Sequence, residues 1–196
     1  MYHLYHTKAF VLKTTPFGEA NIYCVLLTRE LGLIKATAQS VSVPHSKLRP
    51  GLLEFNHSLV SLVRGRSSWK ITGAVPIENV FTGLRSEKEL CQIFARSFSL
   101  LRRLVQGEER NEELFDHIAG AYSFARSKGC NSSLVANFEY VLLLRILHSL
   151  GYVGSAPGIA HFINSPYWND DVLRTMDSVQ ALALSEINKS LRASHL

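Results

Sequence analysis

Residues 20–39 read ANIYCVLLTRELGLIKATAQ, and this stretch decides the architecture of the first half of the chain. Ala20–Thr28 carries Ile22, Tyr23, Val25, Leu26 and Leu27, residue types that suit a pleated, half-buried surface. Glu30-Leu31-Gly32 is a short connection. From there Leu33, Lys35, Thr37 and Gln39 alternate with Ile34, Ala36 and Ala38. A period of two sends successive side chains to opposite faces, as a half-buried strand requires.

The same pattern extends in both directions. Upstream, Tyr5–Lys13 with Phe10, Val11 and Leu12 reads as a strand, closed by a turn at Pro16-Phe17-Gly18. Downstream, a polar loop Ser40–Pro50 precedes a long strand Leu52–Arg64. A hairpin turn at Gly65-Arg66-Ser67-Ser68 then leads into a returning strand, Trp69–Val75. Five strands with short turns over about 75 residues predict a small closed barrel, of which the OB-fold is the common five-stranded form.

Beyond residue 80 the period changes to that of helices. Ser86-Glu87-Lys88-Glu89 has the capping-box pattern, and Leu90, Ile93, Phe94, Phe98, Leu101, Leu104 and Val105 follow at helical spacing until Gly107. Asn111 caps a second helix that Gly129 stops. A third, Ser132–Leu150, is apolar nearly all round and is expected to run through the middle of a bundle. Residues 152–176 read as irregular, and Asp177–Arg192 as a final amphipathic helix. The expected fold is therefore α+β, strands first: a five-stranded OB-fold barrel over 1–80 and an all-α helical domain over 81–196.

Composition bounds the function. The 196 residues are 46% hydrophobic and 19% charged, enough to bury a core and unlike a disordered chain. The most apolar run, Leu134–Leu147, is too short to span a bilayer and contains Asn137, Glu139 and Arg145. The N-terminus lacks the order of a secretion signal, so a cytoplasmic protein without membrane contact is expected. Cys24, Cys91 and Cys130 are isolated and have no C-x-x-C spacing, against a disulfide framework or a cysteine zinc site.

Nucleophile elbows, phosphate loops, dinucleotide fingerprints and H-E-x-x-H are all absent, and no cofactor or catalytic residue is assigned. His3 and His6 lie three apart in a strand and so face opposite sides, which argues against a metal pair. The carboxylates Glu108, Glu109, Glu112, Glu113 and Asp116 are explained by the electrostatics of a helix N-terminus.

Charge supplies the functional signal. Residues 1–80 hold nine Lys and Arg against four Glu, whereas residues 81–196 hold twelve bases and twelve acids. Such asymmetry points to a polyanion partner for the first half. Lys35, Lys47, Arg49, Arg64, Arg66 and Lys70 are the candidate phosphate contacts, most of them in a loop or hairpin where long side chains reach outward. Phe17, Tyr23, Phe55 and Trp69 lie among them, and Trp69, beside Arg66 and Lys70, is the leading candidate for stacking on an unpaired base. The plainer reading is a solvated basic surface.

Several segments, in order, resemble the bacterial RecO family of recombinational repair mediators. They are Ala9-Phe10-Val11-Leu12-Lys13, Phe17-Gly18-Glu19-Ala20, Leu26–Lys35, Pro44–Arg49 and Val63-Arg64-Gly65-Arg66, then Asn111–Phe115, Phe138-Glu139 and Leu147–Tyr152. The resemblance covers about the first 150 residues. It implies an OB-fold followed by a helical domain, and binding of single-stranded and duplex DNA. It also implies strand annealing and recombinase loading, with RecR and the C-terminal tail of single-strand DNA-binding protein as partners. Two departures stand out. The loop before Pro44 has Gln39, Ser42, Val43 and His45 where the family usually has bases, so weaker backbone affinity is expected there. Val153-Gly154-Ser155-Ala156-Pro157 stands where many members have a four-cysteine zinc module, so no zinc is expected. A protein-interaction adaptor with weak DNA binding and an RNA-binding OB-fold protein are the alternative readings.

Overall fold

A computed structural model describes residues 3–66, 68–128 and 131–194. Ser67 of the expected hairpin turn, the expected helix stop Gly129 and the thiol Cys130 lie outside the described residues.

Five strands form as the alternation requires: β1 (Leu4–Phe17), β2 (Asn21–Thr28), β3 (Gly32–Ala38), β4 (Asn56–Arg64) and β5 (Trp69–Asn79). They pair in the order β1-β2-β3-β5-β4 and close on themselves through β1 and β4. All pairings are antiparallel except β3 with β5, where Ala36, Thr37 and Ala38 run beside Trp69, Lys70 and Ile71. This is the five-stranded topology expected from sequence. The inward positions are filled by Val11, Leu26, Ile34, Val60, Leu62 and Ile71, with Ala9, Ala36, Ala38 and Ala74 where the interior narrows.

Two expected boundaries are corrected. The first strand does not turn at Pro16: it pairs on through Pro16 and Phe17 opposite Ile22 and Asn21, and the chain reverses at Gly18, whose φ is +64°. The fourth strand does not begin at Leu52. Arg49–Leu52 is a 3-10 turn with Pro50 at its start, and Phe55 has a φ of +67°, so strand geometry starts only at Asn56.

By contacts, the chain forms two compact units: residues up to Arg85 together with Phe98–Glu112, and Ser86–Ser97 together with Glu113 onward. In the first, a short helix α1 (Val80–Gly83) follows β5, capped by Asn79, whose side-chain oxygen accepts from the Phe81 and Thr82 amides. Helix α2 spans Lys88–Leu104 and supplies its last seven residues to this unit. Phe98 there stacks with Phe55 at 5.7 Å and lies 5.6 Å from Phe10. Gly32 shows how closely the following segment packs. Its φ is +70°, and a Cβ there would fall 2.1 Å from the Glu109 carbonyl oxygen.

The second unit holds α3 (Glu112–Lys128) from Glu113 onward, α4 (Val135–Ser149), α5 (Ala160–Asn164), α6 (Asp170–Thr175) and α7 (Gln180–Ala193). The central helix is α4, packed against α5, α6 and α7. Residues 152–176 are thus not irregular throughout. Asn169 caps α6 by accepting the Val172 amide at 2.8 Å, and Phe162, Ile163, Val172 and Leu173 are buried. Two polar side chains of α4 are fully buried and tie this segment down. Asn137 donates to the Leu173 carbonyl at 2.8 Å, and Arg145 donates to the carbonyls of Phe162 and Tyr167 at 2.8 and 3.0 Å. Among the described residues no helix is long and apolar enough to cross a membrane.

Candidate nucleic-acid interface

The outward face of β2, β3 and β5 follows from register. Tyr23 lies opposite Thr37, and Thr37 opposite Lys70, so these three form one row across the strands. Lys35 lies two residues from Thr37 on the same face and is exposed. A groove of about 610 Å³ opens on this face. One wall is Tyr23, Lys35, Thr37, Ser68 and Trp69, and the other comes from the end of α2 and the chain after it: Arg102, Arg103, Gln106 and Glu108.

The basic residues singled out from sequence are distributed unequally. Lys35 lines the groove and Lys70 stands exposed in the adjoining row. Arg64 ends β4 and Arg66 lies in the hairpin that follows, both exposed. Lys47 is exposed in the 39–48 loop. Arg49 lines a separate depression of about 220 Å³ with Thr14, Val41, Ser42 and Glu54. The Glu54 carboxyl there is pushed up by burial, but the Thr14 amide at 2.8 Å and the Lys13 ammonium at 3.2 Å outweigh that and hold it below the ordinary carboxylate value. Arg49 therefore shares its surroundings with an ionised acid, Glu54, just as Lys35 shares the groove with Glu108. Among the described residues no ion pair involves Lys35, Lys47, Arg49, Arg66 or Lys70.

The expectation for Trp69 is corrected. Its ring is 4% exposed, packed edge-on against Tyr5 at 5.2 Å, with the Arg64 guanidinium 4.9 Å from its centroid. It reaches the groove wall with almost none of its surface, and Tyr5 and Arg64 leave no free face for a base. The exposed rings on this surface are Phe17 and Tyr23 instead, 47% and 44% exposed.

Sequence reasoning also missed Arg102 and Arg103. Both are exposed in the last turn of α2, in the unit that contains the barrel. The available signal was their place on the polar side of the stripe made by Phe94, Phe98, Leu101 and Leu104. Counted by unit, the barrel unit holds thirteen Lys and Arg against seven Asp and Glu, and the other unit eight against nine. The acids after α2 are also more than helix-terminal charges. Glu108 pairs with Arg64, and Glu112 pairs with Arg29 at 2.8 Å. No group of three or more metal-ligating side chains occurs among the described residues.

A basic groove on the β2–β3 face, reached by Ser68 just before β5, lies on the face by which OB-folds take oligonucleotides or oligosaccharides. Bases outnumber acids along it, so a phosphate backbone is the better match.

Residues 1–80 match the family described as "Recombination protein O N terminal". The chain is similar to the DNA repair protein RecO of Dehalococcoides mccartyi, 40% identical over 113 residues, or 58% of this chain and 44% of that protein. It is similar to the DNA repair protein RecO of Heliobacterium modesticaldum, 40% identical over 76 residues, or 39% of this chain and 28% of that protein. The similarity to the Roseiflexus DNA repair protein RecO is longer, 26% over 149 residues, covering 76% of this chain and 50% of that protein. The chain thus spans half or less of the length of these relatives.

Proposed function

We propose, on the premise that residues 1–80 are a RecO-family N-terminal domain, that this chain acts in DNA repair as a non-enzymatic recombination mediator in the cytoplasm. In this reading the barrel unit binds single-stranded DNA through its basic groove, and duplex DNA more weakly. Lys35, Arg102 and Arg103 contact phosphates from the groove walls, and Lys70, Arg64 and Arg66 extend the track toward the β4–β5 hairpin. Binding two complementary strands on such a surface promotes annealing, because phosphate charge is neutralised while base edges stay free. The neutral helical unit is the platform for protein partners, a RecR-like protein and the C-terminal tail of single-strand DNA-binding protein, and loading of recombinase follows from holding them together.

The observation that carries the reading is the groove itself: three bases, Lys35, Arg102 and Arg103, line it with a single acid, Glu108, and Glu108 is paired to Arg64. Fluorescence anisotropy with a labelled single-stranded oligonucleotide tests it. With about four of the six basic side chains neutralising phosphates, log K falls with log salt at a slope of roughly −3. Binding that ignores salt, or that survives unchanged in a Lys35→Ala/Arg102→Ala/Arg103→Ala variant, would falsify the groove as the DNA site.

The depleted 39–45 loop favours the second reading, a protein-interaction adaptor. No DNA binding at low salt combined with capture of a RecR-like protein selects it. Preference for an RNA oligonucleotide over the matched DNA selects the RNA-binding alternative.

A further inference from the structure

Phe17 and Tyr23 are the exposed Phe and Tyr side chains of the barrel unit among the described residues. Their position follows from register: Thr15 faces Tyr23 across β1 and β2, and Phe17, two residues on, comes out on the same side. The ring centroids are 4.5 Å apart at 51°, so each ring covers an edge of the other and leaves part of a face in solvent. Tyr23 also lines the basic groove, in company with Lys35, Arg102 and Arg103. Thr37 and Lys70 continue its row across β3 and β5. At about 4.8 Å per strand, the row from Tyr23 to Lys70 covers roughly 10 Å, within the reach of one or two nucleotides. Both rings are accessible by their own exposure, and nothing lies within 4 Å of where a Cβ would stand on the neighbouring Gly18.

We infer that Phe17 and Tyr23 form a stacking platform for an unpaired nucleobase, and that this platform sets a preference for single-stranded over duplex nucleic acid. The inference rests on the groove being the DNA site. Phosphates held at Lys35, Lys70 and the two arginines fix a strand along the groove, but charge alone attracts duplex and single strand alike. A base inside a duplex has both faces occupied by its neighbours. An unpaired base has a free face, and Tyr23 offers it a ring in the middle of the positive surface.

The test compares Tyr23→Ala, Phe17→Ala and Tyr23→Phe with the unaltered chain, using anisotropy on a labelled oligothymidylate and on a duplex of equal length. Affinity for the oligothymidylate is expected to fall about tenfold in Tyr23→Ala and less in Phe17→Ala. Duplex affinity and the salt slope stay as they were, and Tyr23→Phe retains binding because the ring is kept. Equal loss on both substrates means Tyr23 only supports the barrel, and overturns the inference. So does sensitivity to Lys35→Ala/Arg102→Ala/Arg103→Ala without any response to Tyr23→Ala, which leaves the groove standing. Failure of the unaltered chain to bind either substrate overturns the groove reading and the inference with it.

Discussion

Arg64 and Glu108, 44 residues apart, form an ion pair beside the groove that Glu108 lines, while the same guanidinium lies 4.9 Å from the Trp69 ring centroid. The carboxylate occupies the cation that a phosphate would otherwise take. Both side chains are exposed beyond a third, 54% and 39%, so the pair adds little to stability. Its consequence lies in the proposed site: a phosphate approaching Arg64 would have to displace Glu108 first.

Glu108→Gln is therefore expected to tighten binding of single-stranded DNA by about fivefold at low salt, with stability unchanged within about 0.5 kcal/mol. In an Arg64→Ala background the gain should largely vanish, since the two residues act as one pair. A double-mutant cycle by anisotropy measures this, and a gain of equal size in both backgrounds rules out competition for Arg64.

Arg102 and Arg103 provide a second measurement. Removing two phosphate contacts from a single-strand site makes the salt slope shallower by about 1.4. An Arg102→Ala/Arg103→Ala variant with weaker affinity but the wild-type slope would mean that the arginines shape the groove without touching phosphate.

Gly32 is predicted to tolerate no side chain. Its positive φ alone costs a non-glycine residue about 1 kcal/mol, and a Cβ would meet the Glu109 carbonyl oxygen at 2.1 Å, with backbone on both sides of the clash. Gly32→Ala should destabilise the barrel unit by about 2 kcal/mol or more. Urea denaturation followed by tryptophan fluorescence in a Trp168→Phe background, which leaves Trp69 as the reporter, reads the loss, and an unchanged midpoint would show that the Glu109 segment yields.

The barrel was legible because alternation in Leu33–Gln39 and the turn residues at Gly18, Gly32 and Gly65 act locally, and a period of two leaves few ways to bury Ile34, Ala36 and Ala38. Charge asymmetry likewise survives in any fold. The site was only half legible, for three physical reasons. Trp69 reads as an exposed neighbour of bases until strand register turns it inward. Arg102 and Arg103 read as cations complementing a helix C-terminus, and only tertiary packing brings them opposite Lys35. The pairing of Arg64 with Glu108 has no local trace at all. The short helices α5 and α6 escaped because their five and six residues fall below the length at which helical periodicity can be recognised.

Arg145 is the exceptional residue of the helical unit. It is fully buried, stacks 4.4 Å from the Trp168 ring centroid and bonds two backbone carbonyls; burial brings its pKa down to about 10, so it stays charged at neutral pH. Arg145→Ala leaves the Phe162 and Tyr167 carbonyls without these donors and opens a cavity, at an expected cost of about 3 kcal/mol. Arg145→Lys should recover little, because one ammonium cannot both span the two carbonyls and lie flat on the indole. Thermal denaturation of the two variants tests this; near-complete rescue by lysine would show that charge alone matters.

His117 makes the stability of the same unit depend on pH. It is 6% exposed, and burial pushes its pKa below 6.5; the Arg145 guanidinium adds to that, while Glu113, 3.3 Å away, and Asp116 pull the other way. The net direction is down, so the folded chain resists a proton that the unfolded chain accepts. As pH falls through about 6.5 the unfolded state binds more protons, and stability is lost progressively toward pH 5. His57 in the barrel unit, stacked on Phe10, acts in the same sense, with burial and Lys8 lowering it against Glu78. Urea midpoints at pH 7.5 and 5.5 should therefore drop for the unaltered chain. His117→Gln should reduce that drop, because the side chain no longer titrates. A midpoint that holds or rises at pH 5.5 would mean that both imidazoles are protonated inside the folded protein, against the burial that surrounds them.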